Sequence, residues 1–277
     1  KVIKRVATYL IEAGADVVAV VDPLISQISP THFDEFMAPV FTDLFSHIRL
    51  LQTKSSFFVC GNATANIEPM CKTKPDSISV DENVSLKQAK IITDKYQITI
   101  GGNIPLTSIM LFGNQQDNMK SVVELIDSVS SNRLIISPGC DMPYDIPIEN
   151  TIAVEHAVHH TNSARTMVRN YQKKDIPFSG TLPEYELLPH PLVEVFTLDS
   201  LTCAACTYML SAAKEAAKAM KIKVDVIEYP YTTLNNIARC REMGVKQLPS
   251  IYINGKLAYS SLIPSREELI ERIKEVV

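Results

Sequence analysis

Two cysteines of this chain are spaced for thiol–disulfide chemistry. Cys203 and Cys206 are separated by two alanines, follow a short apolar run and open an alanine-rich helical stretch. The N-terminus of a helix stabilises an anionic sulfur, so a thiol placed there ionises more readily and can attack a disulfide. We predict that Cys203 is the nucleophile and Cys206 the resolving thiol. A redox-silent docking unit is the alternative.

A second set of candidates follows short apolar runs in the first half of the chain. Five runs end on a polar or thiol side chain, at Asp22, Cys60, Asp81, Asn103 and Cys140. Stretches with helical periodicity lie between them, which is typical of parallel βα units, and in a (β/α)8 barrel the reacting groups lie where strands end. Because two of these residues are cysteines, we predict a thiolate site rather than acid–base hydrolysis. Two thiols without a metal are the alternative.

Short β-branched runs predict the strands that position these residues. The predicted strands are residues 16–21, 57–59, 77–80, 98–100 and 134–136. An amphipathic helix is predicted over 2–11, and a second is predicted to begin at Ser29 as its N-cap, with Pro30 in its first turn. Its apolar face is predicted to consist of Phe33, Phe36, Met37, Val40, Phe41, Leu44 and Ile48. Five βα units cannot close an eight-stranded barrel, so we expect further barrel sequence upstream of this chain.

The second half of the chain predicts a separate domain. Residues 163–191 lose periodicity and gather prolines, so we interpret them as a linker between a partial barrel at 1–162 and a domain at 192–277. The later elements are predicted as a strand at 193–196, a helix to about Met220, a strand at 222–228, a helix at 233–243, two strands joined by Asn254-Gly255 and a last helix capped by Ser265. This βαβαββα order is that of a thioredoxin fold. The predicted fold class is therefore α/β, a C-terminal part of a (β/α)8 barrel followed by a thioredoxin-fold domain.

Composition argues against several classes of partner. The chain has 277 residues, a net charge of -4 and a pI near 5.9, which disfavours nucleic acid and polybasic membrane contact. No apolar run approaches the ~20 residues of a membrane helix and no secretory signal pattern is present, so we expect a cytoplasmic location. Six cysteines are too few for a disulfide framework in a chain of this length.

Short motifs around the predicted strand ends resemble those of a known family. They lie within about residues 6–158 and are Gly14-Ala15-Asp16, Asp22-Pro23, Ser29-Pro30, Cys60-Gly61-Asn62, Asp81-Glu82, Gly102-Asn103, Leu111-Phe112-Gly113, Ser137-Pro138-Gly139-Cys140 and Pro147-Ile148-Glu149-Asn150. Together they resemble the uroporphyrinogen decarboxylase superfamily and, within it, the corrinoid-dependent methyltransferases that methylate coenzyme M. Cys140 favours the methyltransferase branch, because the decarboxylases usually carry histidine at this position.

This resemblance implies a zinc site and a methyl-transfer reaction. Family methyltransferases bind zinc through a His-x-Cys pair and a later cysteine, which makes Cys60 and Cys140 the expected metal ligands. Phe58 stands where the family has the histidine. Three possibilities follow: a further ligand from the missing half of the barrel, a further ligand from Asp81, or no further ligand. Zinc would activate a small thiol that accepts the methyl group, and a partner corrinoid protein would carry the methylated corrinoid.

The resemblance also assigns pocket positions. In the family, the positions of four strand-end residues line the pocket, and we predict substrate contacts for them: Asp22, Asn62, Asp81 and Asn103. Capping of the following helices or binding of neighbouring backbone groups is the alternative for these side chains. In the second domain, Pro249 resembles the cis-proline that faces the dithiol of thioredoxins. The chain has no tryptophan, so the aromatic residue that precedes a thioredoxin dithiol is absent.

The remaining cysteines and a histidine group receive simpler interpretations. Cys71 and Cys240 lie on predicted helices and are predicted to be core residues. His156, His159 and His160 have no carboxylate or thiol at ligand spacing, so we predict a solvated helix end.

Three alternatives to methyl transfer remain open at this point. The superfamily includes the decarboxylase of porphyrin biosynthesis, although its chemistry relies on the other half of the barrel. The Cys203 and Cys206 pair alone is consistent with a thiol-disulfide oxidoreductase on a degenerate barrel. Phe58 is also consistent with a barrel that only binds a corrinoid protein.

Overall fold

The computed structural model describes residues 1–173, 177–201 and 203–276. The chain divides into two units, Lys1–Gln172 and Lys173–Val277. No helix among the described residues is long and apolar enough to cross a membrane.

A five-stranded parallel sheet organises the first unit. Its strands are β1 (Val17–Val21), β2 (Lys54–Val59), β3 (Ser77–Val80), β4 (Thr99–Ile104) and β5 (Leu134–Pro138), in the order β1-β2-β3-β4-β5. All four pairings are parallel, which confirms the predicted βα architecture. β4 continues beyond its predicted end, so Asn103 lies inside the strand. The reason is that Gly101 and Gly102 extend the ladder alongside β5.

Helices connect the strands and cover one face of this sheet. They are α1 (Val2–Glu12), α2 (Pro30–His32), α3 (Ala38–Leu50), α4 (Ile67–Lys72), α5 (Leu86–Lys95), α6 (Gln115–Ser128), α7 (Ile148–His159) and α8 (Thr161–Val168). Alternate strand residues such as Phe57, Val59 and Ile78 are buried beneath them, whereas Val21 and Ile135 on the opposite face are about half exposed. The sheet therefore has one covered face and one open face, as expected for part of a barrel.

The start of the second long helix agrees with prediction, but its apolar face does not. Ser29 Oγ accepts a hydrogen bond from the His32 backbone N–H and Pro30 occupies the first turn. A π-helical turn, Phe33–Met37, then separates α2 from α3. Because a π turn holds an extra residue, the positions after Phe33 rotate, and the predicted core residues Phe36 and Val40 are 60% and 58% exposed.

Four phenylalanines fix α3 against β2. The ring centroids of Phe41 and Phe57 are 4.4 Å apart, and those of Phe45 and Phe57 are 5.1 Å apart. Phe33 packs on both Phe41 and Phe57. This cluster holds the strand that ends next to Cys60.

The segment predicted as a linker begins with a helix. α8 buries Ala164 and Val168 against α6 and α7, and Arg165 forms an ion pair with Asp127. Two apolar residues four apart in a polar segment are a weak sequence signal, which explains why the sequence predicted no helix here.

The second unit has the βαβαββα order predicted for it. Its elements are β6 (Leu192–Thr197), α9 (Ala204–Ala219), β7 (Asp225–Pro230), α10 (Leu234–Glu242), β8 (Ser250–Ile253), β9 (Lys256–Ser260) and α11 (Arg266–Lys274). The sheet order is β7-β6-β8-β9, with β6 parallel to β7 and the other pairings antiparallel. Asn254 and Gly255 have positive φ values of 45° and 74° in the β8–β9 hairpin. Ser265 and Glu268 form the capping box of α11.

Candidate functional site

Cys60 and Cys140 lie together at the carboxyl ends of the strands of the first unit. Their Sγ atoms are 3.1 Å apart, although 80 residues separate them in the sequence. Cys60 follows β2 and Cys140 follows β5, with β3 and β4 between them. Three strand spacings span roughly 14 Å in a flat sheet. The segment after β5 reaches across this distance, because Gly139 donates its N–H to Ile104 at the end of β4 and a Cβ added to it would lie 3.4 Å from the Asp81 Cα after β3.

The two thiols interact unequally. A hydrogen bond from the Cys60 thiol lowers the pKa of Cys140, and the backbone N–H of Asp141 acts in the same direction. Both cysteines are only partly buried. The pair therefore offers an accessible sulfur with increased thiolate character.

Asp81 anchors the loop that carries Cys60. Its carboxylate accepts hydrogen bonds from the backbone N–H of Gly61 and from the backbone N–H of Asn83 at 2.8 Å. Burial raises the pKa of Asp81 to about 6. Since both oxygens hold backbone groups, this residue shapes the site in addition to any contact with substrate.

Glu82 is a candidate that the sequence prediction did not include among the site residues. Its Oε2 is buried without a hydrogen-bond partner among the residues that the structure describes, and a Cβ added to Gly139 would lie 2.6 Å from that oxygen. Burial and then the neighbouring Asp81 raise the pKa of Glu82 to about 7. The carboxyl group lies against the loop that bears Cys140. The sequence signal was the Asp-Glu pair directly after β3.

The raised pKa of Glu82 predicts a pH-dependent stability effect. The folded state holds this proton up to about pH 7, whereas an ordinary glutamate loses it near 4.5. Folding stability therefore falls as pH rises through that window and stays low above it. We expect Glu82→Gln, which resembles the protonated form, to stabilise the first unit by on the order of 2 kcal/mol at pH 8 and by little at pH 5.

Urea unfolding of the Glu82→Gln variant at the two pH values, followed by hydrogen exchange in β3 and β4, tests this effect. Glu35→Gln is the matched control, because Glu35 is exposed. Equal stability changes at both pH values for the Glu82 variant would contradict the assignment.

The other three predicted substrate contacts each have a structural partner. Asp22 Oδ1 accepts from the Leu24 N–H at 3.0 Å. Asn62 Oδ1 accepts from the Thr64 hydroxyl at 2.7 Å. Asn103 Nδ2 donates to the carbonyls of Asp81 and Val84 at 2.8 and 2.7 Å. Asp22 therefore caps the helical turn after β1, whereas Asn62 and Asn103 bind groups of neighbouring loops. A substrate contact for each residue stays a prediction.

The pair of thiols supplies two donors for a metal ion. Within the described residues, no group of three histidine, cysteine or carboxylate side chains is arranged to hold a metal. Phe58 is partly buried and lies two residues before Cys60, so the two share the same alternation along the chain. A histidine at position 58 would be the family's third donor. The Glu82 Oε2 is buried beside Gly139, one residue before Cys140, and no described residue forms a hydrogen bond with it.

The second thiol pair lies at the start of α9. The Cys203 Sγ accepts a hydrogen bond from the backbone N–H of Cys206 at 3.4 Å. Cys206 is fully buried, and its Sγ accepts from the Leu198 N–H at 3.3 Å. The hydrogen bond with Cys203, burial and the charge of Cys203 raise the pKa of Cys206. Cys203 is the more exposed thiol, and the Leu248-Pro249 peptide is cis.

The remaining cysteines are core residues, as predicted. Cys71 is 0% and Cys240 3% exposed, and burial raises the pKa of each to about 12. The predicted solvated helix end is correct for His159 and His160 but wrong for His156. The Nε2 of His156 is buried and has no hydrogen-bond partner among the described residues, and the His156 ring centroid lies 5.0 Å from that of His160.

A five-stranded parallel sheet with thiols at its strand ends, followed by a thioredoxin-like unit, defines the class of protein. A family model described as Uroporphyrinogen decarboxylase (URO-D) matches residues 1–161, and the chain belongs to this family. A thioredoxin domain model matches residues 192–274.

Relatives from both branches of the family are similar to the first unit. A methylcobamide:CoM methyltransferase MtbA from Methanosarcina acetivorans is 28% identical over 147 residues, which are 52% of this chain and 42% of the relative. A uroporphyrinogen decarboxylase from Prochlorococcus marinus is 29% identical over 153 residues, covering 53% and 43%. The chain thus spans about two fifths of the length of these relatives.

A solved methyltransferase structure from Methanosarcina mazei shares the fold. Its TM-score is 0.51 at 24% identity, over 56% of this chain and 45% of that one.

Proposed function

We propose that this chain carries the thiol-binding site of a corrinoid-dependent methyltransferase. The reaction transfers a methyl group from a methylated corrinoid, carried by a partner protein, to a small acceptor thiol. The observation that carries the proposal is the 3.1 Å approach of Cys60 and Cys140 at the strand ends. The similarity to methylcobamide:CoM methyltransferases supports it.

The chemistry requires an ionised acceptor. A free thiol with a pKa of about 8.5 is only a few per cent thiolate at pH 7, so a methyltransferase of this kind has to promote ionisation. Cys60 and Cys140 fit as two ligands of a zinc ion, and zinc, when bound, deprotonates a coordinated thiol. Since no described carboxylate or histidine is arranged as a third donor, the acceptor thiol or further protein ligands would complete the coordination.

The chain's own residues shape and hold the strand-end site. Asp81 fixes the Gly61 loop through its backbone hydrogen bonds, and Asn103 holds the loop after β3. Glu82 is buried beside Gly139, one residue before Cys140, and supports the loop that carries this cysteine. The corrinoid protein would dock over the strand ends, where both cysteines are accessible.

Zinc content and methyl transfer together test this function. Zinc per chain would be measured for the wild type and the Cys60→Ser and Cys140→Ser variants, and methylcobalamin demethylation would be followed spectroscopically with coenzyme M as acceptor. We expect both variants to lose zinc and to lose transfer by at least about 100-fold, the scale of effects on metal sites. Cys71→Ala is the matched control, because Cys71 is a core cysteine outside the site. Transfer that persists in both serine variants would contradict the proposal.

A second activity, thiol–disulfide exchange, is favoured by one observation in the second unit. Cys203 is accessible at the helix start, while Cys206 is buried behind it, which matches a nucleophile and a resolving thiol. Titration of the pair against glutathione buffers would give its midpoint potential. A pair that stays reduced in every buffer would exclude this activity.

A further inference from the structure

We propose that Cys60 and Cys140 form a reversible disulfide and that this disulfide is the substrate of the Cys203–Cys206 dithiol. The proposal deepens the proposed function, on which its regulatory meaning rests, because oxidation would remove both candidate zinc ligands. Two observations carry it. The sulfurs of Cys60 and Cys140 are in contact, and in the second pair Cys203 is accessible while Cys206 is buried.

The distance between the two sulfurs permits both a bridged and a metal-bound state. A disulfide has an S–S distance of about 2.05 Å. Two thiolates on one tetrahedral zinc, each at about 2.3 Å from the metal, lie roughly 3.8 Å apart. The observed 3.1 Å is between these values, so a movement of about 1 Å reaches either state.

The backbone holds the two cysteines in this position from both sides. Gly61, next to Cys60, donates its N–H to the buried Asp81 carboxylate. Gly139, next to Cys140, donates its N–H to the Ile104 carbonyl at 3.0 Å. The thiols therefore face each other without reorganisation of the strands, which is the condition for bridging two distant cysteines.

Cys60 and Cys140 differ from the two core cysteines in accessibility. Cys60 and Cys140 are partly exposed, whereas Cys71 and Cys240 are buried. A low-molecular-weight disulfide can oxidise the exposed pair: two electrons leave the two thiols, and the oxidant is released as two thiols. The buried cysteines serve as internal references that should stay unmodified.

The second unit supplies the complementary dithiol. Cys203 caps α9, where the helix dipole favours its thiolate. Cys206 lies directly behind it, with its backbone N–H on the Cys203 sulfur. This order gives one attacking and one resolving thiol.

The exchange between the two cysteine pairs balances in atoms and electrons. The Cys203 thiolate attacks one sulfur of the Cys60–Cys140 disulfide, that S–S bond breaks, and the other sulfur leaves as a thiolate and takes a proton. Cys206 then attacks the Cys203 sulfur and gives up its proton, and the second sulfur of the first unit leaves and takes up that proton. Two electrons pass from the Cys203–Cys206 pair to the Cys60–Cys140 pair, leaving a Cys203–Cys206 disulfide.

Trapping the mixed disulfide tests the proposal. The whole chain carrying Cys206→Ser would be treated with oxidised glutathione, quenched with acid and an alkylating agent, and mapped by mass spectrometry. Without a resolving thiol, we expect a peptide that links Cys203 to Cys60 or Cys140, on the order of tenfold more abundant than links to Cys71 or Cys240. The matched Cys203→Ser variant should instead keep the Cys60–Cys140 linked peptide.

Two outcomes would overturn the inference. One is an oxidised wild-type chain without a Cys60–Cys140 linked peptide. The other is a Cys60–Cys140 disulfide that, once oxidised glutathione has been replaced by reduced glutathione, is lost at the same rate whether position 203 is cysteine or serine. Neither readout requires zinc, corrinoid or methyl transfer, so a chain that exchanges disulfides but transfers no methyl group contradicts only the proposed function.

Discussion

Replacing Arg239 with methionine should cost the second unit about 3–5 kcal/mol of folding free energy, the usual effect of removing one partner of a buried ion pair. Arg239 is 6% exposed and its partner Glu194 is 0% exposed. The substitution leaves the Glu194 carboxylate buried with only the Tyr185 hydroxyl, which donates to it at 2.8 Å. A single neutral donor does not offset the desolvation of a carboxylate.

Methionine is chosen because it preserves much of the packing of the arginine. The guanidinium carbon lies 4.3 Å from the Tyr229 ring centroid and 5.8 Å from that of Phe178. A thioether also packs well on aromatic rings. The expected loss therefore reports the unpaired charge rather than a cavity.

Hydrogen exchange in β6 and β8 during urea unfolding measures this effect, and the amides of β2 and β3 provide a reference in the other unit. The double variant Glu194→Met with Arg239→Met is the decisive control, because removing both charges is often nearly neutral. We expect it to recover most of the loss. If Arg239→Met alone lowers the free energy of unfolding by less than about 1 kcal/mol, the Arg239–Glu194 ion pair contributes little net stability, and the prediction is wrong.

The sequence predicted the strands and helix starts of the first unit well because these depend on local patterns. β3 has the predicted limits of residues 77–80, and Ser29 caps its helix through its side chain. The π turn at Phe33–Met37 was not predictable. Its extra residue depends on how Phe33, Phe41 and Phe45 pack around Phe57, and this packing involves a strand distant in sequence.

For the candidate site, the sequence predicted the position of the two cysteines but not the role of Glu82. Reacting groups in a (β/α)8 barrel gather at the strand ends, and this rule predicts that Cys60 and Cys140 lie at the same edge of the sheet. Their sulfurs are in contact there. Glu82 was missed because its significance lies in burial and in the absence of a side chain at Gly139. Neither property can be recognised from an Asp-Glu dipeptide.

Position 58 provides the most direct test of the metal chemistry. Ser56, Phe58 and Cys60 are partly exposed, while Ser55, Phe57 and Val59 between them are buried. Residues two apart on an extended strand project to the same face, so a side chain at 58 lies on the side of β2 from which Cys60 approaches Cys140. Histidine is smaller than phenylalanine, so it should be accommodated without overpacking.

Phe58→His should therefore convert a two-thiol site into one with three protein ligands. Three protein ligands and one open position are typical of catalytic zinc sites. We expect zinc to bind at least about 10-fold more tightly, the lower limit of effects that even outer-shell changes have on metal affinity. Binding should weaken below about pH 6.5, where the imidazole gains a proton and stops acting as a ligand.

Competition with a chromogenic chelator would measure the affinity, and cobalt substitution would report thiolate ligands through its absorption spectrum. Phe58→Leu controls for loss of the aromatic ring and should bind zinc like the wild type. Combining Phe58→His with Cys140→Ser should abolish the gain, because the histidine then has only Cys60 beside it. A histidine variant that binds zinc no more tightly than the leucine variant would mean that the Cys60–Cys140 pair does not face position 58, and that its chemistry is that of a dithiol alone.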